Sequence, residues 1–235
     1  MMLGARTALW SVGAKLPTAN DYIIGSEKTF WDGIENVGLG LPNDMTSAVW
    51  KDLVGNNDMK LGTYGSFDGA SLVCGGGRIA ASCDKSIGIR GEKQSISYVL
   101  SAEKDGCAFV AGQGSQKGAV CVVTNGSSSF VQIANAASDN VRNAISHGVL
   151  DSPKHIVVNY ENYDVVSAFV NGVEAEIFYL FGGIYSNKAS FGDRINDSSR
   201  PFTGRVFRMI MRSEHMTEEQ AKAEYAIDKA RFNLP

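Results

Sequence analysis

His155–Ile177 reads HIVVNYENYDVVSAFVNGVEAEI, and this stretch decides the fold class. His155–Tyr160 and Val165–Val170 are runs of β-branched, aromatic and small residues. The second run meets Asn171–Gly172 and resumes as Val173–Ile177. Asn-Gly between two such runs is a strong hairpin signal, because a type I′ turn needs positive φ at both central residues.

The same pattern recurs on both sides of the hairpin. Gln94–Leu100 (QSISYVL) alternates, with Ile96, Tyr98 and Leu100 on one face and Ser95, Ser97 and Val99 on the other. Cys107–Ala111, Ala119–Thr124 and Phe130–Ala134 are short apolar runs separated by loops rich in Gly, Gln and Ser. Glu176–Phe181 (EIFYLF) is apolar on both faces and reads as a central strand, and Arg205–Arg212 (RVFRMIMR) as the last long one. Closely spaced strands with turn clusters between them argue for a two-sheet antiparallel sandwich rather than alternating α/β units. Ile96, Tyr98, Val157, Phe169, Val206 and Ile210 are its expected core residues.

A single short helix closes the chain. Thr217 and Gln220 form a capping box, and Glu218 and Glu219 suit the positive end of the helix dipole. Ala223, Ala226, Ile227 and Ala230 make a narrow apolar stripe at helical spacing, and Phe232 and Leu234 are expected to anchor the tail.

The 235 residues carry a formal net charge of -3, which provides no basic field for nucleic acid. Hydrophobic residues make up 44% and charged residues 20%, a globular balance, and no apolar stretch reaches membrane-spanning length. The opening MMLGARTALWSVGAKLP is a poor signal peptide, because Ser11 and Gly13 break its apolar run. Residues 1–20 are expected to form an arm and 21–235 a single domain. Cys74, Cys83, Cys107 and Cys121 form no CxxC pair. Buried thiols are the expectation, with a Cys74–Cys83 or Cys107–Cys121 disulfide as the alternative.

Three segments together resemble the concanavalin A-like superfamily, in particular the laminin G-like (LamG) domains of bacteria and phages. They are Trp31–Gly40 followed by Trp50–Leu61 (WKDLVGNNDMKL), the paired strands from His155 to Ile177, and the closing run PFTGRVFRMIMRSEHMTEEQAKAEYAIDKARF. The order and spacing of these motifs resemble the family from Trp31 to Phe232, with Met216 standing where Leu is usual. The resemblance implies a jelly roll, lectin-like binding, and a location outside the cell, on a cell surface or on a virion.

The candidate chemistry is sparse. Glycoside hydrolases on this fold place carboxylates two apart on one strand. The nearest approach is Glu174–Ala175–Glu176 beside the hairpin turn, which reads as a solvated pair. His147, His155 and His215 lie in no catalytic motif, and Gly112–Gly118 lacks the glycine spacing of a phosphate loop. Asp52, Asn56, Asn57 and Asp58 crowd one turn. They suggest either a structural Ca²⁺ site, with Asp52, Asn57 and Asp58 as ligands, or Asx residues that shape the turn. Asp193–Asp197 is a weaker acidic loop.

The long segment Gly182–Arg200 carries the groups a sugar needs. Tyr185 and Phe191 can stack, while Asn187, Asp193 and Arg194 can take hydroxyls. Tyr185 and Phe191 could instead pack down as loop anchors. Trp31 and Trp50 are expected in the core. The expected function is a non-catalytic carbohydrate-binding or adhesion module whose partner is a glycan or surface polysaccharide. The alternatives are a structural or assembly protein forming homo-oligomers through its arm, and, third, a glycoside hydrolase.

Overall fold

In the computed structural model, residues 16–36, 41–42, 49–85, 87, 93–111, 120–125, 130–135, 141–162, 164–181, 188–193 and 200–235 are described. Two large antiparallel sheets account for most of them. The first runs β16 (Val173–Glu174), β15 (Asp164–Val170), β14 (Lys154–Glu161), β9 (Gln94–Lys104) and β19 (Thr203–Arg212). Beyond β19, β7 (Leu72–Gly75) pairs with its first half and β1 (Glu27–Asp32) with its second, and β6 (Gly65–Phe67) pairs with β7. The second sheet runs β17 (Ile177–Phe181), β13 (Val141–Ser146), β12 (Phe130–Asn135), β11 (Val120–Asn125), β10 (Cys107–Ala111), β18 (Ala189–Phe191), β8 (Ala81–Cys83), β5 (Met59–Leu61) and β4 (Val49–Trp50). A small ribbon joins β2 (Glu35–Asn36) to β3 (Leu41–Pro42).

The two sheets share one core. Trp31, Leu72, Ile96, Tyr98 and Met209 from the first meet Ala81, Phe109, Val122, Ile145 and Phe191 from the second. At its centre Trp31, Trp50, Phe109 and Phe191 contact one another edge-on or tilted, with centroids 4.8–6.0 Å apart. Trp31 Nε1 donates to Asn57 O at 3.0 Å and Trp50 Nε1 to Asp32 O at 2.8 Å, so neither indole is left unsatisfied. This is the antiparallel sandwich expected from the sequence, and all six expected core residues are buried. Asn171 (φ 51°) and Gly172 (φ 75°) both adopt positive φ in the β15–β16 hairpin, as a type I′ turn requires.

One expectation about the loops needs correction. The segment 182–200 is not one loop, because Ala189–Phe191 forms β18 in the interior of the second sheet, between β8 and β10. All three of its residues are buried, Ser190 included, and three residues are too few for a strand period to stand out in the sequence. The described residues before β1 pack on the body. Ala19 and Tyr22 are buried against Phe30 and Ile210, and Ala19 N donates to Glu35 Oε2 at 3.0 Å.

Cys74, Cys83 and Cys107 are buried thiols outside any disulfide, which excludes both pairings considered above. Burial pushes the Cys74 thiol up to about 12. The side chain of Cys121 lies outside the described residues.

The closing helix, α1 (Glu218–Phe232), begins at the expected capping box, with Gln220 N donating to Thr217 Oγ1 at 3.2 Å and Thr217 N to Gln220 Oε1 at 2.8 Å. Its buried face is not the expected one. Ala223 and Ala226 are exposed and Ile227 and Ala230 half-buried, while Ala221, Glu224, Asp228 and Phe232 face the protein. The helix docks two carboxylates onto the outer face of the first sheet.

Candidate functional site

A β-bulge creates the partner for that charged helix face. Along β19, Val206, Met209 and Met211 point into the sandwich core. The register slips between Val206 and Arg208, so Phe207 and Arg208 both face outward, followed by Ile210 and Arg212. The bulge thereby places Arg208 and Arg212 under α1.

Both guanidinium groups are buried and fully used. Arg208 Nε donates to Asp228 Oδ1 and Nη2 to Glu224 Oε1, each at 2.6 Å; Nη2 also donates to Asp228 Oδ2. Arg212 Nη2 reaches Glu224 Oε2 at 2.6 Å, and Nη1 of each arginine donates to Ser97 Oγ at 3.0 Å. Tyr22 OH donates to Asp228 Oδ1 at 2.7 Å, and the Tyr22 ring lies under the Arg208 and Arg231 guanidinium carbons at 4.7 and 5.3 Å. Beside them Arg231 forks onto Asp32 at 2.6 and 3.1 Å. Burial alone raises the Glu224 carboxyl, but Arg208 and Arg212 outweigh it and hold the group well below its usual range. At Asp32 burial wins over Arg231 and the carboxyl is raised.

His155, entirely buried, places Nε2 3.4 Å from Glu224 Oε1 and 3.8 Å from Asp228 Oδ2. His155, Glu224 and Asp228 offer ligand atoms close enough for one metal ion. The carboxylate oxygens there already accept from guanidinium or phenol, and two cations lie within hydrogen-bond range, so the set does not fit a further cation. This cluster clamps the helix.

The sequence-nominated residues fall in three groups. Phe191 is not a stacking residue, because it is buried among Trp31, Trp50 and Phe109. Tyr185, Asn187 and Arg194 lie outside the described residues. Asp193 is buried at the end of β18, with Ser190 Oγ donating to its carbonyl at 2.7 Å. Of the five nominated residues, the described ones are therefore Phe191 and Asp193, and both are buried at β18, where Lys188 pairs with Asp84.

The turn at Asp52 is held by Asx chemistry. Asp52 Oδ1 accepts from Phe30 N (2.9 Å), Gly55 N (3.0 Å) and Val54 N (3.3 Å), and Oδ2 from Thr29 Oγ1 (2.7 Å) and Asn57 N (3.0 Å). Five donors converge on a carboxylate that would have to turn to a cation, so the expected Ca²⁺ ligand is occupied. Asp58 accepts from Asp52 N at 3.0 Å and pairs with Lys51 at 2.6 Å, and Asn57 engages through its backbone. Glu174 and Glu176 are exposed, as a solvated pair would be. His215 Nε2 lies 2.7 Å from Tyr160 O.

One end of the sandwich brings several connections together. Strand pairing places Thr203 beside both Gly75 and Lys104, Ala81 beside both Leu61 and Phe191, and Gly65 beside Cys74. The turns at 62–65, 76–80 and 105–106 emerge there, beside Gly192 and Phe202, where Phe202 N donates to Gly192 O at 2.8 Å. At this end stands Tyr64, 44% exposed, an aromatic that sequence reading passed over. Its signal is local: a tyrosine inside a Gly62–Gly65 turn, followed by Gly75-Gly76-Gly77.

No protein-family model matches the chain, and no curated protein sequence matches it. The fold is similar to that of Trypanosoma rangeli sialidase in complex with sialic acid, with a TM-score of 0.53 at 10% identity. That match covers 92% of this chain and 34% of the sialidase, so the chain spans about a third of the enzyme's length. It is also similar to the ligand binding domain of botulinum neurotoxin serotype D in complex with N-acetylneuraminic acid, with a TM-score of 0.50 at 10% identity, covering 88% and 51% of the two chains. At these identities the likeness is one of fold. No helix among the described residues is long and apolar enough to cross a membrane.

Proposed function

We propose that this chain is a non-catalytic carbohydrate-binding module of laminin G-like type, serving adhesion at a bacterial or phage surface and acting outside the cell. The observation that carries the reading is the end of the sandwich where Tyr64 stands exposed on a rigid turn beside the 192–202 connection. Long connections on a rigid scaffold are where binding groups concentrate. One of these two structural relatives is in complex with sialic acid and the other with N-acetylneuraminic acid, which supports a sugar as the ligand class.

The buried cluster supports the non-catalytic half of the proposal. Sialidases use a tyrosine nucleophile, and Tyr22 does sit among carboxylates and arginines. Tyr22 is only 2% exposed, however, and donates its hydroxyl proton to Asp228. Burial, reinforced by Asp228, pushes its phenol well above the usual value, so it supplies no phenolate and faces no substrate. A glycan array read beside a glycosidase assay on the same protein tests the proposal. Retention without release of sugar is expected, and turnover abolished by Glu224→Gln or Tyr22→Phe in a folded variant would overturn it.

A second reading, a scaffold that assembles through its N-terminal segment, is favoured by one observation. Leu16, Ile23 and Ile24 leave their side chains exposed where that segment joins the body. Sedimentation of the chain with and without residues 1–15 separates it from the first.

A further inference from the structure

We propose that Tyr64 and Arg78 form a subsite for a sugar bearing a carboxylate, a sialic or hexuronic acid; this rests on the carbohydrate-binding reading above. Tyr64 is the aromatic among the large apolar side chains left exposed in the described residues. It sits at the tip of the Gly62–Gly65 turn, closed by Gly65 N donating to Gly62 O at 3.1 Å, and its own carbonyl accepts from Gly75 N at 2.8 Å. The backbone beneath the ring is therefore tied to β7.

A Cβ on Gly77 would lie 2.0–2.5 Å from Cε1, Cδ1 and Cζ of Tyr64, so the ring fills the space a side chain would take. Gly76, at φ 74°, is confined in the same way, since its Cβ would lie 2.1 Å from Thr203 Oγ1. The ring thus lies over the Gly77 backbone, in space that a larger residue there would contest. An exposed ring can stack on the apolar face of a pyranose.

Charge selects the kind of sugar. Arg205, Arg208, Arg212 and Arg231 are all paired with carboxylates. Arg78, one residue beyond Gly77, is exposed and makes no hydrogen bond or ion pair among the described residues. Arg200 at the same end is likewise exposed and uses only its carbonyl, to Cys107 N. Among the described residues at this end, Glu103 pairs with Arg205, and Asp105 and Asp193 have contacts of their own. Arg78 follows the glycine that the ring overlies, and its planar guanidinium can fork onto the carboxylate of a sugar that stacks on the ring.

The test uses the full chain with sialyllactose, a hexuronic acid oligosaccharide and lactose as the neutral comparison, each titrated by NMR with chemical shifts mapped onto the backbone. An acidic sugar is expected to shift Tyr64, Gly75–Arg78 and Thr203 and to bind more tightly than lactose. Tyr64→Ala should weaken it by about tenfold or more, and Arg78→Gln should abolish the preference over lactose while keeping residual stacking, as loss of a charge-assisted bond implies. Both residues are exposed, so melting curves should not move. Whichever of the two acids binds identifies the source of the carboxylate.

Equal binding of acidic and neutral sugars, an undiminished preference in Arg78→Gln, or shifts that appear elsewhere on the sandwich would overturn the subsite while leaving the module a sugar binder. Failure of every sugar, on the array as well as here, would overturn the underlying reading with it.

Discussion

Asp228→Asn should be among the most damaging single changes this protein can suffer, although the substitution alters almost no volume. Asp228 accepts two bonds from Arg208 and one from Tyr22, all in the closed layer between α1 and the first sheet. Neutralising it leaves Arg208 and Arg212 sharing Glu224, with Glu27 3.3 Å from Arg212 Nε as the only other anion on that pair. A unit charge lost about 4 Å from a buried guanidinium forfeits roughly 4 kcal/mol at an effective dielectric near 20. Breaking one partner out of a buried pair costs about 3–5 kcal/mol in measured cases. We expect about 3–4 kcal/mol, which for a chain of this size lowers Tm by roughly 6–16 °C. Urea denaturation followed by the fluorescence of the buried Trp31 and Trp50 reads the loss directly. The exposed i,i+4 pair Glu218–Lys222 supplies the control, and Lys222→Ala should cost at most about 0.5 kcal/mol. Arg208→Met combined with Asp228→Leu should recover much of the loss, because no unpaired charge is then left beneath the helix. A cost below about 1 kcal/mol for Asp228→Asn would mean that water reaches Arg208, and the clamp would be refuted.

Three further outcomes follow from the same contacts. Glu224 has a depressed folded-state pKa, so its stabilising share is complete above the unfolded value near 4.3 and is lost as pH falls through the lower folded value; the stability gap between wild type and Glu224→Gln should therefore be flat above about pH 5 and narrow in more acid buffer, and a gap that widens on acidification would contradict the assignment. Asp52→Ala strands Thr29 Oγ1 and the backbone N–H groups of Phe30, Gly55 and Asn57, and should cost about 2–4 kcal/mol by urea titration, whereas excess chelator should leave the wild-type melting curve unmoved. The Cys74 thiol, pushed up to about 12 by burial, should resist iodoacetamide at pH 8 in the native protein and react on unfolding; rapid native labelling at Cys74, read by mass spectrometry, would show that this edge of the core opens.

What the sequence disclosed were the features fixed by neighbours along the chain. The Asn171–Gly172 hairpin, the Thr217 cap and the inward face of Gln94–Leu100 depend on residues a few positions apart, so their physics is complete in a short window. The helix face was misread because its partners are not local. Glu224 and Asp228 look like solvent-facing charges until Arg208 and Arg212 are turned outward, and the bulge at Phe207 that turns them breaks the strand's period of two. On hydropathy alone the stripe Ala223–Ala230 was the better candidate, but burying a few alanine methyl groups offers less than satisfying two guanidinium groups already committed to the sheet surface. The strand within 182–200 is hidden for the opposite reason: Ala189–Phe191 is only three residues long and lies among polar and glycine residues that read as loop.

Tyr64 was missed because the glycines around it read as punctuation. Gly62, Gly65, Gly75 and Gly76 do mark turns, and a reader who stops there sees loops. Gly77 is different, since its φ is not positive and no turn geometry demands it. What demands it is the ring of a residue thirteen positions earlier, lying where a side chain would be. A glycine kept for the room it leaves, rather than for the angle it adopts, points to whatever fills that room. Here that is an exposed aromatic, outside the core. Such an arrangement contributes little to stability, so Gly77→Ala offers a discriminating experiment. It should displace the Tyr64 ring and weaken sugar binding while lowering Tm by no more than a few degrees. A variant that binds as well as wild type would show that the ring needs no fixed seat, and the platform argument would fail.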